Sequence, residues 1–382
     1  MRTANLRLQK MLTVKNYSAA GDGVTDDTSA ILNAQSNGCQ FYPEGTYLVT
    51  DAACIKGMIG SDGPGVLYYC GSYYPAARLL RQVTLCLMVP AVFPTIQSAL
   101  DWAAQKQIYT DAWLKIAVSD GTYSIRNIKS AVKDWSRLII VGNESDYSKC
   151  TLQVDCTNNG NGFLFNMGNG CGWLNGFYIL GNGAFFSDGV WNDQCYGAGI
   201  ISEGSGSHVT CGPGVVTENM YYGYRAMFGG SMYADYTIAR HSGDCGYHSY
   251  GGSIRANYAK SSYASHLTSD LGHGFCVESS GMMECEYAES YGNHNSGFVS
   301  IGNSSMWAHT CKSHDNRNGF WSLNGGYLEA NGLGTTSDKV SNAYNNTYGY
   351  RCSNGGVMQV ANTWANNVTK NYFIENGGIQ VS

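Results

Sequence analysis

The segment "GMMECEYAES", residues 281–290, decides the fold, because a strand of the same pattern recurs through the second half of the chain. An apolar side chain and, two residues later, a small one alternate with polar side chains. Alternation with a period of two puts both positions on one face of a β-strand, pointing inward. The related segments are "SMYADYTIA" (231–239), "SIRANYAKS" (253–261), "SSMWAHTCKS" (304–313), "GYLEANG" (326–332) and "GVMQVANT" (356–363). The first inward position is filled by Met232, Ile254, Met283, Met306, Leu328 and Met358, and the second by Ala234, Ala256, Cys285, Ala308, Ala330 and Val360.

A Gly–aromatic pair precedes each of these strands and gives the length of the repeat. The pairs begin at Gly223, Gly246, Gly274, Gly297, Gly319 and Gly349, with steps of 23, 28, 23, 22 and 30 residues. Like residues stacked at about 22 residues per turn indicate a parallel β-helix, in which the longer steps contain loop insertions. A propeller needs about 40 residues or more per repeat, and a leucine-rich solenoid has a Leu and Asn signature. The sequence therefore predicts an all-β solenoid.

The overall composition excludes several classes of protein. With 43% hydrophobic residues and a net charge of −5, the chain is not expected to be disordered. A pI near 5.9 without a basic run argues against a nucleic-acid partner. No stretch approaches the ~18–20 apolar residues of a membrane helix, so no membrane insertion is predicted. The opening segment "MRTANLRLQKMLTV" has no continuous apolar region, so no signal peptide is expected.

The cysteines and histidines do not form a metal motif. The 14 cysteines are scattered, no CxxC pair occurs, and His and Cys do not recur at zinc spacing. We therefore expect mostly buried free thiols, no metal and no cofactor. Six histidines on different turns are interpreted as turn or edge residues: His241, His248, His266, His273, His294 and His314.

The beginning of the chain predicts short helices before the repeats. In "AAGDGVTDDTSAILNA" (19–34), Thr25, Asp26 or Thr28 can cap a helix near residues 26–35. A second helix is predicted in "FPTIQSALDWAAQKQ" (93–107), followed by strands in "LKIAVSDGTYSI" (114–125). We predict an N-terminal capping or attachment unit over residues 1–82 and a β-helix domain over residues 83–382, with rungs of about 22–30 residues. One continuous β-helix with a helical insertion is the alternative.

The segments "VKNYSAAGDGVTDDTSAI" (14–31) and "FYPEGTYLV" (41–49) resemble the N-terminal signature of the pectate-lyase-like superfamily of right-handed β-helices. Polysaccharide lyases, polygalacturonases and bacteriophage tailspikes belong to it. The resemblance implies a right-handed parallel β-helix with short N-terminal capping helices, and a structural role for the N-terminal aspartates. The paired aspartates, NTD and RIK elements of polygalacturonases are missing, as are the esterase and epimerase motifs. "GHG" (272–274) is interpreted as a repeat glycine beside a histidine, and pectin is not predicted as the substrate.

The outward positions of the aligned strands form two neighbouring columns of polar and aromatic side chains. The first column contains Tyr233, Arg255, Glu284, Trp307, Glu329 and Gln359, and the second contains Asp235, Asn257, Glu286, His309 and Asn331. Rungs lie about 4.8 Å apart, so carboxylates here can reach the ~5–9.5 Å separation of glycosidase pairs. The catalytic candidates are Glu284, Glu286 and Glu329, with Asp235 in reserve. A carboxylate beside Trp307 loses solvation, which suits a general acid.

Substrate binding is assigned to the remaining side chains of the columns. Trp307 and Tyr233 are expected to stack on sugar rings, and Arg255 or His309 to hold an acidic sugar or to shift the pKa of a carboxylate. The alternative is an ordinary solvated face, whose charges discourage aggregation.

The resemblance to tailspikes implies a bacteriophage tail protein that binds a host cell-surface polysaccharide, with depolymerisation as a further hypothesis. It implies a homotrimer, phage tail or baseplate proteins as partners, and a place in the virion after assembly in the host cytoplasm. The subunits could meet through outward apolar residues such as Val299, Ile301, Trp321 and Leu323. A secreted extracellular polysaccharide lyase or hydrolase and a non-catalytic structural tail protein or adhesin remain as alternatives.

Overall fold

The computed structural model describes residues 12–58, 61–80, 84–182, 196–265, 271–334, 336 and 339–381. The opening segment considered for a signal peptide (apart from residues 12–14), the start of the β-helix domain at residue 83, and His266 lie outside these residues. The chain divides into two units, residues 1–118 with 131–139 and residues 119–130 with 140–382. The domain boundary at residue 83 stays a prediction.

The first unit combines three helices with short strands. The helices are α1 (Thr28–Ser36), α2 (Ala53–Lys56) and α3 (Ile96–Ala103). A four-stranded sheet contains Asp22–Asp26, Thr46–Leu48, Val66–Tyr69 and Ser72–Pro75, of which only the last pair is antiparallel. Two parallel pairs join Leu79–Leu80 to Gln107–Ile108 and Thr84–Val89 to Trp113–Val118. Single 3-10 turns are formed by Val14–Tyr17 and Trp135–Arg137.

The N-terminal aspartates are structural, but the capping arrangement differs from the prediction. The N-cap of α1 is Asp27, whose buried carboxylate accepts instead from the backbone N–H groups of Ala20 (2.6 Å) and Gly21 (3.0 Å). The Asp26 carboxylate accepts from the N–H of Thr28, the first helical residue, at 3.0 Å. Asp27 therefore fixes the preceding loop against the helix start, because burial of its charge requires several donors.

The second unit is a solenoid of three parallel sheets, to which each rung contributes one strand. In chain order along a rung we name them sheet A, sheet B and sheet C. Sheet A contains Ile128–Lys129, Phe163–Asn166, Ala198–Glu203, Tyr222–Met227, Cys245–Tyr250, His273–Glu278, Ser296–Ile301, Asn318–Leu323, Tyr348–Ser353 and Lys370–Glu375. Sheet B contains, within this unit, Gly170–Asn175, His208–Cys211, Ser231–Tyr233, Ser253–Arg255, Met282–Glu284, Ser305–Trp307, Tyr327–Glu329, Val357–Gln359 and Ile379–Val381. Sheet C contains Gly121–Ile125, Cys150–Val154, Phe177–Gly181, Val215–Glu218, Ile238–Arg240, Lys260–Ser262, Glu289–Tyr291, Lys312–His314, Ser341–Tyr344 and Thr363–Asn366.

Among the described residues, the neighbouring strands within these three sheets pair in parallel, as a solenoid requires. The strand Leu138–Val141 begins in the second segment of the first unit and ends in the second unit. The 3-10 turns Tyr147–Lys149 and Thr157–Asn159 complete the elements of the second unit. The predicted class, an all-β right-handed parallel β-helix with short N-terminal helices, is confirmed.

The inward positions predicted from the repeat form the core of sheet B. Met283 pairs in register with Ile254 on one side and with Met306 on the other, and all three are buried. The other predicted members of the two inward positions are buried as well: Met232, Leu328, Met358, Ala234, Ala256, Cys285, Ala308, Ala330 and Val360. The period-two alignment of the sequence is therefore confirmed.

The aromatic residues of the Gly–aromatic pairs form a second internal stack, on sheet A. Successive rings are stacked with nearly parallel planes and with centroids 4.6–5.3 Å apart, in the order Tyr224, Tyr247, Phe275, Phe298, Phe320, Tyr350 and Tyr372. The preceding glycine is required by close approach, since a Cβ at Gly274 would collide with the Oγ of Ser290. The "GHG" glycine is thus a repeat glycine, as predicted.

A ladder of buried asparagines, which was not predicted from the sequence, closes the turn after sheet C. Asn293 donates its side-chain amide and its backbone N–H to the Oδ1 of Asn316, both at 2.9 Å. Asn316 repeats both bonds to Asn346, and Asn346 repeats them to Asn367. Each rung thereby satisfies the buried amides of its neighbour, which fixes the register of the turn. The thiols of the described cysteines are free and mostly buried, as expected from the sequence.

Candidate functional site

The two predicted outward columns exist on sheet B, and the first is continuous in register. Tyr233 pairs with Arg255, Arg255 with Glu284, and Glu284 with Trp307. Trp307 pairs with Glu329, which pairs with Gln359. The second column follows through backbone hydrogen bonds just beyond each strand, such as the one from Tyr258 N–H to Glu286 C=O at 2.8 Å. The repeat alignment therefore places every candidate residue on one face.

Asp235, Arg255 and Tyr233 form one cluster at one end of the columns. The Arg255 guanidinium contacts the Asp235 carboxylate at 2.6 Å and 2.9 Å and lies 4.1 Å from the centre of the Tyr233 ring. The hydrogen bonds that Arg255 donates to Asp235 raise the pKa of Arg255, so the cation is permanent. Asp235 is thus an ion-pair partner, and Arg255 is held rigidly at the surface.

Asn257 connects this cluster to the glutamates of the next rung. Its backbone N–H donates to Asp235 at 3.0 Å, and its amide donates to the Oε1 of Glu284 at 2.8 Å. Its Oδ1 accepts from the backbone N–H of Glu286 at 2.7 Å. Glu284 is exposed and therefore free to meet a ligand, while the amide restricts its orientation.

The ring of His309 lies between the carboxylates of Glu286 and Glu329. Its Nε2 is 3.1 Å from Glu329 and its Nδ1 is 3.5 Å from Glu286. Both carboxylates are close to the ring, but neither ring nitrogen forms an aligned hydrogen bond with them. Asn331 donates to Glu329 at 2.7 Å and Tyr327 donates at 3.3 Å. His309, Asn331 and Tyr327 therefore restrict the side chains of Glu286 and Glu329, two of the three candidate glutamates.

Trp307 and Glu284 line an open cleft of about 260 Å³ on sheet B. Tyr233, Arg255 and Met282 complete the part of its lining that faces solvent. Trp307 is half-buried and Tyr233 is 42% exposed, so both rings offer apolar surface beside fixed charges. Such a combination is typical of sites that bind polar ligands with apolar faces.

A largely exposed tyrosine ladder runs beside the second column and was not predicted from the sequence. Tyr236, Tyr258 and Tyr287 are stacked with centroids 4.7 and 4.8 Å apart and ring planes within 4°. All three have a positive φ, from 56° to 61°, because they occupy the turn after each sheet B strand. The signal was available, since each tyrosine directly follows a residue of the second column.

Two predicted features outside the columns need correction. His248 is a strand residue of sheet A rather than a turn or edge residue, because it is 1% exposed and contacts Glu278 at 2.8 Å. Val299, a proposed subunit contact, is already buried within the single chain, with Ile301, Trp321 and Leu323 half-buried around it. The outer face of sheet A is therefore partly covered without a second subunit. The homotrimer itself stays a prediction.

The described residues contain no group of three or more His, Cys, Asp or Glu side chains arranged to hold a metal ion. Among the helices in the described part of the chain, none is long and apolar enough to cross a membrane.

Structural likenesses, rather than sequence matches, relate this chain to known proteins. The sequence matches no family model and no curated protein. Among solved structures, the chain is similar to the A-module of the mannuronan C-5 epimerase AlgE6 from Azotobacter vinelandii, with 13% identity and a TM-score of 0.28 over 97% of this chain and 99% of that one. It is also similar to ORF18 of Geobacillus virus E2, with 12% identity and a TM-score of 0.17 over 95% of this chain and 61% of that one. Both TM-scores are low, and neither likeness carries an argument about activity.

Fold and geometry together define a parallel β-helix protein with a rigid outward face of aromatic and paired charged side chains on sheet B.

Proposed function

We propose that this protein is a tailspike-type bacteriophage protein that binds a host cell-surface polysaccharide along the columns of sheet B. The observation that carries the proposal is the in-register run of outward-facing aromatic, cationic and carboxylate side chains from Tyr233 to Glu329. In this proposal the protein is a homotrimer in the virion, attached to tail or baseplate proteins.

A polysaccharide suits this surface because both are long and repetitive. Rungs follow one another at about 4.8 Å, so a chain of sugars lying along the helix axis meets a new pair of side chains at each rung. Trp307 supplies an apolar face for a sugar ring, and Arg255 supplies a fixed cation for an acidic or hydroxyl group. Because Asp235 already orders Arg255, little side-chain entropy is lost when a ligand binds.

Cleavage of the bound glycan is the second candidate function, favoured by the Glu286–His309–Glu329 arrangement. Two carboxylates on opposite edges of one imidazole are roughly 6–9 Å apart, which overlaps the ~6.5–9.5 Å of inverting glycosidases. The ring of His309 occupies the space that a water and the anomeric carbon need. The geometry therefore supports binding of the glycan better than its hydrolysis. If the protein binds the glycan without cleaving it, the protein is a non-catalytic adhesin.

The experiment is Trp307→Ala, compared with Trp113→Ala as a matched control in the first unit, where Trp113 is 37% exposed. Binding to capsular and lipopolysaccharide preparations should weaken at least about tenfold in Trp307→Ala and remain unchanged in Trp113→Ala. Reducing-end and unsaturated-sugar assays on the same preparations separate cleavage from binding. Equal binding by both variants and the unaltered protein would contradict the proposed surface.

A further inference from the structure

A second, larger cleft lies on sheet C. Its volume is about 570 Å³, compared with about 260 Å³ for the cleft on sheet B. Glu289, Lys312, Asn342 and Trp364 occupy one outward column of successive rungs, and Tyr344 stands in the neighbouring column. This volume falls within the ~300–1,000 Å³ of small-molecule sites.

Among the described residues, Lys312 is a cation of the cleft that makes no direct ion pair, although it stands in register with Glu289 and helps to lower the pKa of that carboxyl. Glu289 is paired with Lys260 at 2.8 Å and lies 3.7 Å from the Nε2 of His314. Although burial opposes it, the contact with Lys260 lowers the pKa of Glu289, so this carboxylate is ionised and already neutralised. In the part of the chain that the structure describes, the exposed ammonium of Lys312 forms no hydrogen bond or ion pair. Lys312 is thus available to an anionic ligand group.

An aromatic stack on sheet C changes its arrangement at Trp364, which lines the cleft. Tyr291, His314 and Tyr344 form a stack of nearly parallel rings with centroids 5.1 and 4.7 Å apart, and Tyr344 is the member that lines the cleft. Trp364 is tilted by 55° from Tyr344 at 6.1 Å and is 49% exposed. The tilt breaks the stack and leaves part of the indole surface open above the cleft. An exposed indole two rungs from a lysine in the same cleft fits a sugar ring that carries an acid group.

We propose that the sheet C cleft binds a hexuronic acid residue of a glycan. Its pyranose ring packs on Trp364, its carboxylate pairs with Lys312, and its hydroxyl groups bond to the side-chain amide of Asn342. Glu289 repels a carboxylate bound on its side and so orients the sugar toward Lys312. This site lies on a different sheet from the proposed polysaccharide surface and does not depend on it, and it names acidic sugars as a ligand class.

The test is calorimetry with short oligogalacturonates and with their methyl esters, which keep the rings and remove the charge. Lys312→Gln should weaken binding of the acid about fivefold to tenfold and leave binding of the ester unchanged. Trp364→Ala should weaken both at least about tenfold, while Trp364→Phe, which keeps an aromatic face, should retain most of the affinity. Lys15→Gln, at an exposed lysine of the first unit, is the charge control and should have no effect.

Three outcomes would overturn the proposal. They are equal affinity of the unaltered protein for acid and ester, no binding of the acid at millimolar concentration, and unchanged binding by Trp364→Ala with a circular dichroism spectrum like that of the unaltered protein. Trp307→Ala keeps the two sites distinguishable. This variant should lose host polysaccharide and retain the oligogalacturonate, and loss of the oligogalacturonate in Trp307→Ala alone would assign it to sheet B.

Discussion

Met282 and Met283 are adjacent in the chain but face opposite sides of one sheet B strand, which makes them a matched pair for a stability test. Met283 is 0% exposed and packs between Ile254 and Met306, whereas Met282 is 50% exposed. Replacing either by alanine lowers β-propensity equally. The difference between the two variants therefore measures the internal stack alone.

The expected cost of Met283→Ala is about 2–5 kcal/mol, because the core loses a whole buried side chain and gains a cavity. Met282→Ala should cost less than about 1 kcal/mol, since half of its side chain is already in water. Met283→Asp should cost more than Met283→Ala, because it places a carboxylate without a partner among apolar neighbours.

The assay is urea unfolding followed by hydrogen exchange of peptides from residues 245–330. Local exchange is preferable to a single global signal, because solenoids often lose cooperativity between distant repeats. Protection of these rungs should fail at a lower urea concentration in Met283→Ala than in Met282→Ala. Equal midpoints for the two variants would refute the inward alignment and the site built on it.

If sheet B cleaves a glycan, Glu284→Gln, Glu286→Gln or Glu329→Gln should lower turnover by about 100-fold or more while binding persists, and full activity in all three would exclude the site. The free energy of unfolding should also depend on pH, because the hydrogen bond from His248 lowers the pKa of Glu278 below its ordinary value of 4.5. This contribution is present above that value and lost as the pH falls through the lower folded-state pKa. The urea midpoints of Glu278→Gln and the unaltered protein should therefore differ at about pH 6 and converge at about pH 3. A difference that does not change with pH would contradict the stabilising role of the ionised Glu278. Light scattering at micromolar concentration should report three copies, and a monomer would argue against the trimer.

The sequence predicted which residues of the candidate site share one face of sheet B, because the alternation determines the two columns. It did not predict which side chains of the columns contact one another. Asp235 pairs with Arg255 on the next rung, and His309 contacts glutamates on the rungs before and after its own. Such pairings depend on side-chain rotamers and on contacts between rungs, which a single-strand pattern does not contain.

The sheet C cleft was missed for a related reason. The strand Ser341–Tyr344 follows its sheet B strand after a longer turn than Lys312–His314 does, so Lys312, Asn342 and Trp364 do not keep the steps of the aligned sheet B positions. Backbone pairing brings them into one column. Burial of Val299 on an outward position was equally invisible, because the alternation distinguishes two faces of a strand but not what covers either face.

The sequence by itself determined the solenoid, the rung length and the inward stacks. Each of these depends on short-range alternation repeated at nearly constant spacing, and like residues pack on like residues at every turn. The tertiary structure alone decided which charges neutralise one another, which tyrosines form the ladder beside the second column, and which lysine and indole line one cleft on sheet C. These features arise between rungs, where side chains distant in sequence meet, and their geometry exists only once the chain has folded.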